Sequence, residues 1–188
     1  SDPLERVGRP VLVRLSGLAG ATAHLGVLHG AQTLYLAKEK PAAVGPTLVT
    51  EVGVRLPAAL TATGLSILAH LPTHQVRALF PDRSTFIDRT GRGPATLPAL
   101  RQDLAVVRQR GWAVEDGRVS AGTASVAAAV FDHNGTALAA VGVTVGHRCP
   151  AMGPAECGHD FTELAGPVRA SAREVTAAIG GRVDPATY

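Results

Sequence analysis

Four side chains that could hold a transition metal fall within thirteen residues: His147, Cys149, Cys157 and His159. Thiolate and imidazole are the donors that zinc prefers, so this set could form a tetrahedral site. The spacing matches no common zinc module, and the competing reading is a loop with incidental thiols. A disulfide between Cys149 and Cys157 is disfavoured, because two cysteines in 188 residues make no disulfide framework and agree with a reducing compartment. Apart from zinc, no cofactor is expected. A second candidate is Glu115, at a strand end that faces small residues. Pointing into a cavity with Ser125 and Thr144, it could accept a hydrogen bond from a hydroxyl-bearing ligand or bind a cationic one; left on a loop, it would do nothing. A third is the helix start after Leu56-Pro57. Thr61 is its natural N-cap, which leaves backbone N–H groups near Ala62, Thr63 and Gly64 to meet an anion.

The common catalytic signatures are missing. There is no G-x-x-x-x-G-K-[ST] loop, G-x-G-x-x-G turn, H-E-x-x-H helix or G-x-S-x-G elbow. His24, His29, His70, His74 and His133 are dispersed at turns and expected helix ends and read as solvated or structurally satisfied. No motif places a histidine beside Glu115 and Ser125, so catalysis by the common routes has no support.

The elements that must position these groups follow from hydrophobic period and turn residues. Two apolar runs rich in small and β-branched residues, 125–131 and 136–145, flank Asp132-His133-Asn134-Gly135 and predict an antiparallel hairpin. Its Ala128, Ala129, Ala139, Ala140 and Gly142 leave room on the sheet, to be filled by a packed helix or by a ligand. Leu4, Val7, Val11, Leu12, Leu15 and Leu18 predict a helix over 4–19, kinked or started by Pro10. A second hairpin over 21–28 and 33–38 places Ala23, Leu25 and Val27 on one face and His24, Gly26 and Leu28 on the other. A strand is expected over 47–52, then the helix that stops before Pro72, a short helix over 73–80 and a loop over 81–94. A helix over 96–110 ends at Gly111, a strand carries Trp112 to Val114 into Glu115-Asp116, and a last amphipathic helix covers 161–179. The order implies an α/β sandwich around a largely antiparallel sheet.

Composition sets the outer limits. At 188 residues, 46% hydrophobic and 18% charged, the chain is long enough for one domain with one core, built mostly from Ala, Val and Leu. Its net charge of +3 comes with scattered arginines, which gives no obvious nucleic-acid surface. No apolar run approaches the ~20 residues that span a bilayer, and the start lacks a signal-peptide layout, so a cytoplasmic protein with no membrane partner is expected.

Assembled in order, these pieces resemble the effector-binding half of the IclR family of bacterial transcriptional regulators. The resemblance rests on L-x-x-L-A-G-x-T-x-H-L-G-V-L at Leu15 to Leu28 and V-G-x-R-L-P-x-x-x-T-A-x-G at Val52 to Gly64. It continues through L-x-x-V-R-x-x-G-W-A-V-E-D at Leu104 to Asp116 and A-A-x-V-F-D-x-N-G at Ala127 to Gly135. It implies an α/β (α+β) GAF-like fold: a curved antiparallel sheet with helices packed on one side and a small-molecule pocket on the other. It also implies that N–H groups at Ala62 and Thr63 hold an effector carboxylate, and that Glu115, Ser125, Gly142 and Thr144 supply the polar contacts. Leu48, Leu56 and Thr123 fall at the pocket wall. The family often has Cys at the Ser125 position, Ser at the Gly142 position and Lys at the Leu65 position; these departures imply a different or bulkier effector.

The expectation is a single domain over 1–188 that binds a small organic, acidic or aromatic metabolite without converting it. The resemblance further implies a homodimer or homotetramer that meets operator DNA only through an amino-terminal winged helix-turn-helix, which this chain lacks. Two other readings compete: a small enzyme using Glu115 and Ser125, and a dimerisation module whose pocket its own side chains fill.

Overall fold

In the computed structural model, which describes residues 2–41, 52–148, 159 and 161–183, the chain runs α1 (Pro3–Ala19), β1 (Thr22–His29), β2 (Gln32–Glu39), β3 (Arg55–Pro57), a 3-10 turn (Ala58–Leu60), α2 (Ala62–Leu68), α3 (Thr73–Leu79), a second 3-10 turn (Arg83–Thr85), α4 (Leu97–Arg110), β4 (Ala113–Asp116), β5 (Thr123–Phe131), β6 (Ala137–Gly146) and α5 (Thr162–Ala178). The six strands make one curled antiparallel sheet in the order β3-β2-β1-β6-β5-β4. Each predicted hairpin forms, and the pairing of β1 with β6 joins them at the centre. The strand expected over 47–52 falls largely outside the described residues, and β3 is a separate short strand on the sheet edge.

Strand alternation sorts the side chains by kind. Ala23, Leu25, Val126, Ala128, Val130, Ala139, Val141 and Val143 point to one face, where they build the main core with Leu12 and Leu15 of α1 and Val168, Ala172 and Val175 of α5. The predicted split of β1 holds: Ala23 and Leu25 join this core, and His24 and Gly26 turn to the opposite face. Pro10 does not mark the start of α1, which runs from Pro3 behind an Asp2 cap whose carboxylate accepts from the Leu4 N–H at 2.8 Å.

Helices cover both faces. On the second face α2 lies against β5 and β6, with α4 packed outside it through Leu100, Leu104 and Val107. The room left by small residues here is filled by this helix: Ile67 packs on Ala129 and Ala140. Ser66 donates to the carbonyl of Ala127 at 3.0 Å, which ties α2 to the sheet. Ala128 and Ala139 serve the opposite core instead. Gly64 marks the closest approach, since a β-carbon there would collide with the carbonyl oxygen of Ala58.

Candidate functional site

The second face carries its polar residues in cross-strand rows. Antiparallel register sets Glu115 opposite Ser125, Ser125 opposite Thr144 and Thr144 opposite Thr22, and all four are buried. The adjoining row is Ala113, Ala127, Gly142 and His24, and the one beyond it Ala129, Ala140, Gly26 and Tyr35. Small residues in these inner rows let α2 approach, and a β-carbon on Gly26 would stand 2.8 Å from the Thr63 methyl. The first turn of α2 is thereby brought onto the polar end of the sheet.

Hydrogen bonds join the two. Ser125 and Thr144 share a bond of 2.8 Å, and Thr144 lies 3.0 Å from Nε2 of His24. On the far side of the ring, Nδ1 meets the Thr63 hydroxyl at 3.4 Å. The Tyr35 ring meets the His24 ring edge-on with centroids 5.2 Å apart, and Thr61 shares a 2.9 Å bond with Thr33. Thr61 caps α2 as expected, accepting from the Gly64 N–H at 2.9 Å. That bond consumes one of the N–H groups the sequence offered to an anion; Ala62 and Thr63 remain in the first turn.

Glu115 is 2% exposed, and its carboxylate accepts from the backbone N–H of Arg118, with the Val119 N–H and the Ser125 hydroxyl near enough to favour the charged form. The Arg118 bond is 2.9 Å. Burial outweighs these bonds and pushes the carboxyl up to about 7. The Arg118 guanidinium turns outward to Asp103 of α4, at 2.9 and 3.3 Å, and also donates to the Ala59 carbonyl. The loop that holds Glu115 is thus fixed to α4 and to the turn preceding α2. Burial pushes the His24 ring down to about 3, with the Lys38 charge adding to the effect, so the ring is neutral. The Tyr35 hydroxyl is pushed up, first by burial and also by the Glu115 charge.

The structure therefore brings together Glu115, Ser125, Thr144 and Thr63 from the predicted set. Gly142 lies in the same patch, with the His24 ring over it. Ala62 begins α2 and packs in the α2–α4 cluster. Leu56 is buried against Tyr35, Leu60 and Val119. Thr123 stands half-buried at the start of β5, where its hydroxyl donates to the Ser120 carbonyl at 3.1 Å. Leu48 lies outside the described residues.

Sequence reasoning missed His24, Tyr35, Thr33 and Arg118. No motif places a histidine near Glu115 and Ser125, but the fold brings His24 to Ser125 through Thr144. A signal existed, because strand alternation already placed His24 with Gly26. The ring is a poor general base, being buried, neutral and engaged by Thr144 and Thr63 through its two nitrogens.

Of the candidate metal ligands, Cys149 and Cys157 lie outside the described residues. His147 and His159 stack with ring centroids 5.4 Å apart, and each meets Phe161 edge-on. His147 Nε2 is 3.7 Å from Asp116, and His159 Nε2 is 3.4 Å from Glu163. Among the described residues, no group of three or more such side chains could hold a metal ion.

Residues 1–177 match the family described as "Bacterial transcriptional regulator IclR C-terminal". The chain is 36% identical over 168 residues to the glycerol operon regulatory protein of Streptomyces griseus, covering 88% of this chain and 62% of that protein. It is 32% identical over 146 residues to the Pca regulon regulatory protein of Pseudomonas putida, covering 77% and 49%. The chain thus spans half to three-fifths of the length of these relatives. A putative IclR regulator from a Silicibacter species superposes with a TM-score of 0.83 at 26% identity, covering 98% of this chain and 69% of that one. An IclR homolog from Microbacterium hydrocarbonoxydans, crystallised with 4-hydroxybenzoate, shares the fold at a TM-score of 0.79 and 18% identity, covering 94% and 68%.

Proposed function

Because the chain belongs to the IclR family of bacterial transcriptional regulators and matches their carboxy-terminal domain, we propose that it is the part that senses a small organic effector, acidic or aromatic, without converting it. The observation that carries the reading is the buried row of Glu115, Ser125 and Thr144, linked through His24 to the first turn of α2. A row of this kind recognises polar groups on a guest, and the N–H groups of Ala62 and Thr63 are offered to its carboxylate. The fold neighbour crystallised with 4-hydroxybenzoate supports the reading, since that compound carries a carboxylate and a hydroxyl. Two relatives named as regulatory proteins of a glycerol operon and of the Pca regulon support a regulatory role for the parent protein.

The rest of the regulator follows from linkage. An effector alters DNA affinity only by binding one arrangement of the domains more tightly than another. We therefore expect a cytoplasmic homodimer or homotetramer that meets operator DNA through an amino-terminal domain. Among the described residues, no helix is long and apolar enough to cross a membrane.

Thermal unfolding against a panel of small organic acids, phenols and polyols tests the proposal. A ligand at 100 times its Kd adds about 2.7 kcal/mol to the folded state, a shift of several degrees for a domain of this size. At least one compound should produce it, and Glu115→Gln or Ser125→Ala should diminish it. A panel that leaves the melting temperature unmoved would refute sensing.

A further inference from the structure

Glu115, Ser125, Thr144, Thr63 and His24 are all buried, so a guest meets them only when a covering element moves. α2 is a poor candidate, because all its residues are buried and Ser66 ties it to the Ala127 carbonyl. The segment after Phe86 is held differently. Among the described residues, positions 87–94 belong to no helix or strand and make no backbone–backbone hydrogen bond. Three side chains fasten them to the loop that follows β4. Arg89 Nε donates to the Val119 carbonyl at 2.9 Å, the Thr90 hydroxyl to the Gly117 carbonyl at 2.6 Å, and the Arg92 guanidinium to the Asp116 carbonyl at 3.4 Å. Both ends are anchored: Phe86 stacks on buried Phe80 with centroids 5.0 Å apart, and Thr96 caps α4 by accepting from the Ala99 N–H at 3.2 Å.

What lies beneath this strap leads to the polar row. Gly93 sits directly on Leu60, since a β-carbon there would collide with the Leu60 side chain. Leu60 forms one apolar cluster with Tyr35, Leu56 and Val119, and the Tyr35 ring meets His24 edge-on. The carbonyls that the strap grips belong to the same loop whose Arg118 N–H binds Glu115. That loop has anchors of its own, because the Arg118 guanidinium holds Asp103 and the Ala59 carbonyl. The strap can therefore leave while the loop stays. We propose that residues 87–94 are the gate of the effector site: released from the carbonyls of 116–119, the strap swings between Phe86 and Thr96 and opens the Glu115 end of the buried row. Its side-chain donors pass to water as it leaves, so local opening costs far less than unfolding the sheet. This rests on the sensing reading for the guest, but the opening itself is a property of the ligand-free protein.

A thiol placed in the row reports the opening without knowledge of the effector. In the full chain carrying Cys149→Ser and Cys157→Ser, Ser125→Cys should react with iodoacetamide at a rate set by the open fraction. Adding Arg89→Met and Thr90→Val removes two of the three fastenings and should raise that rate about 10-fold. Thr144→Cys, next in the row, should respond in the same way and serves if the first thiol disturbs folding. Ala128→Cys, on β5 but in the core of the opposite face, should react at a rate that the strap substitutions leave unchanged. An unaltered rate in the row, or an equal rise at position 128, overturns the gate. Thiol access that follows the strap while every compound of the panel fails leaves the gate standing and removes sensing. A compound that stabilises the chain while thiol access ignores the strap overturns the gate and leaves sensing intact.

Discussion

The ring of His24 occupies the space that a side chain at Gly142 would need: a β-carbon there would stand 2.7 Å from His24 Cε1 and 2.8 Å from the Val126 carbonyl oxygen. The two residues are cross-strand partners on β1 and β6, so the absence of a side chain on one strand makes the seat for the imidazole on the other. Gly142→Ala should destabilise the chain by about 1–3 kcal/mol, because the ring and a ladder carbonyl cannot both retreat. Urea unfolding checks this, and a loss below about 0.5 kcal/mol would show the seat to be looser than described.

Glu115 and His24 should give stability opposite dependences on pH. Glu115 has its folded value raised from 4.5 to about 7, so its contribution is fully present below pH 4.5 and is lost as pH rises through about 7. His24 has its value lowered from 6.5 to about 3, so its contribution is present above pH 6.5 and is lost as pH falls through about 3. Comparison with single variants separates the two. The stability of wild type relative to Glu115→Gln should fall by roughly 3 kcal/mol at most between pH 4.5 and 8. Relative to His24→Gln it should fall on going from pH 6.5 toward 4. A flat difference in either series contradicts the assignment.

Thr61 holds two structures together with one oxygen: it caps α2 at Gly64 and bonds Thr33 on β2. Thr61→Ala should cost about 1–2 kcal/mol, the usual worth of a cap, whereas Thr61→Ser should cost much less because the hydroxyl survives. Equal losses in denaturant melts would show that the methyl, and not the hydroxyl, matters here.

Glycines inside the helices divide by what surrounds them. Nothing lies within 4 Å of a β-carbon at Gly17 in α1 or Gly166 in α5, so Ala at either should stabilise by about 0.5–1 kcal/mol through reduced freedom of the unfolded chain. At Gly64 the Ala58 carbonyl stands in the way, and Ala should destabilise instead. A melting temperature that falls for Gly17→Ala or Gly166→Ala would point to contacts beyond this chain.

Much of the fold was legible because local rules and burial agree along the chain. Asn134-Gly135 turned the second hairpin, Gly111 in its left-handed conformation (φ 89°) ended α4, and Thr61 capped α2 where the cap was expected. The strand over 47–52 cannot be judged, and Pro10 misled as a helix boundary because the contacts of Leu4, Val11 and Leu12 outweigh one missing backbone donor. Of the candidate site, Glu115, Ser125 and Thr144 were found together because alternation on adjacent strands brings them to one face. His24 was set aside, since its partner Thr144 lies 120 residues away.

By itself the sequence determined the kinds and boundaries of most elements, since periodicity and capping act over a few residues, and through its motifs it pointed to the family. Tertiary structure alone decided what the small residues were for. Gly26, Ala129 and Ala140 admit α2 to the sheet, and Gly142 admits an imidazole. It also decided that one histidine is neutral and a carboxyl half-ready to take a proton, because desolvation depends on everything packed around a group and not on its neighbours in the chain.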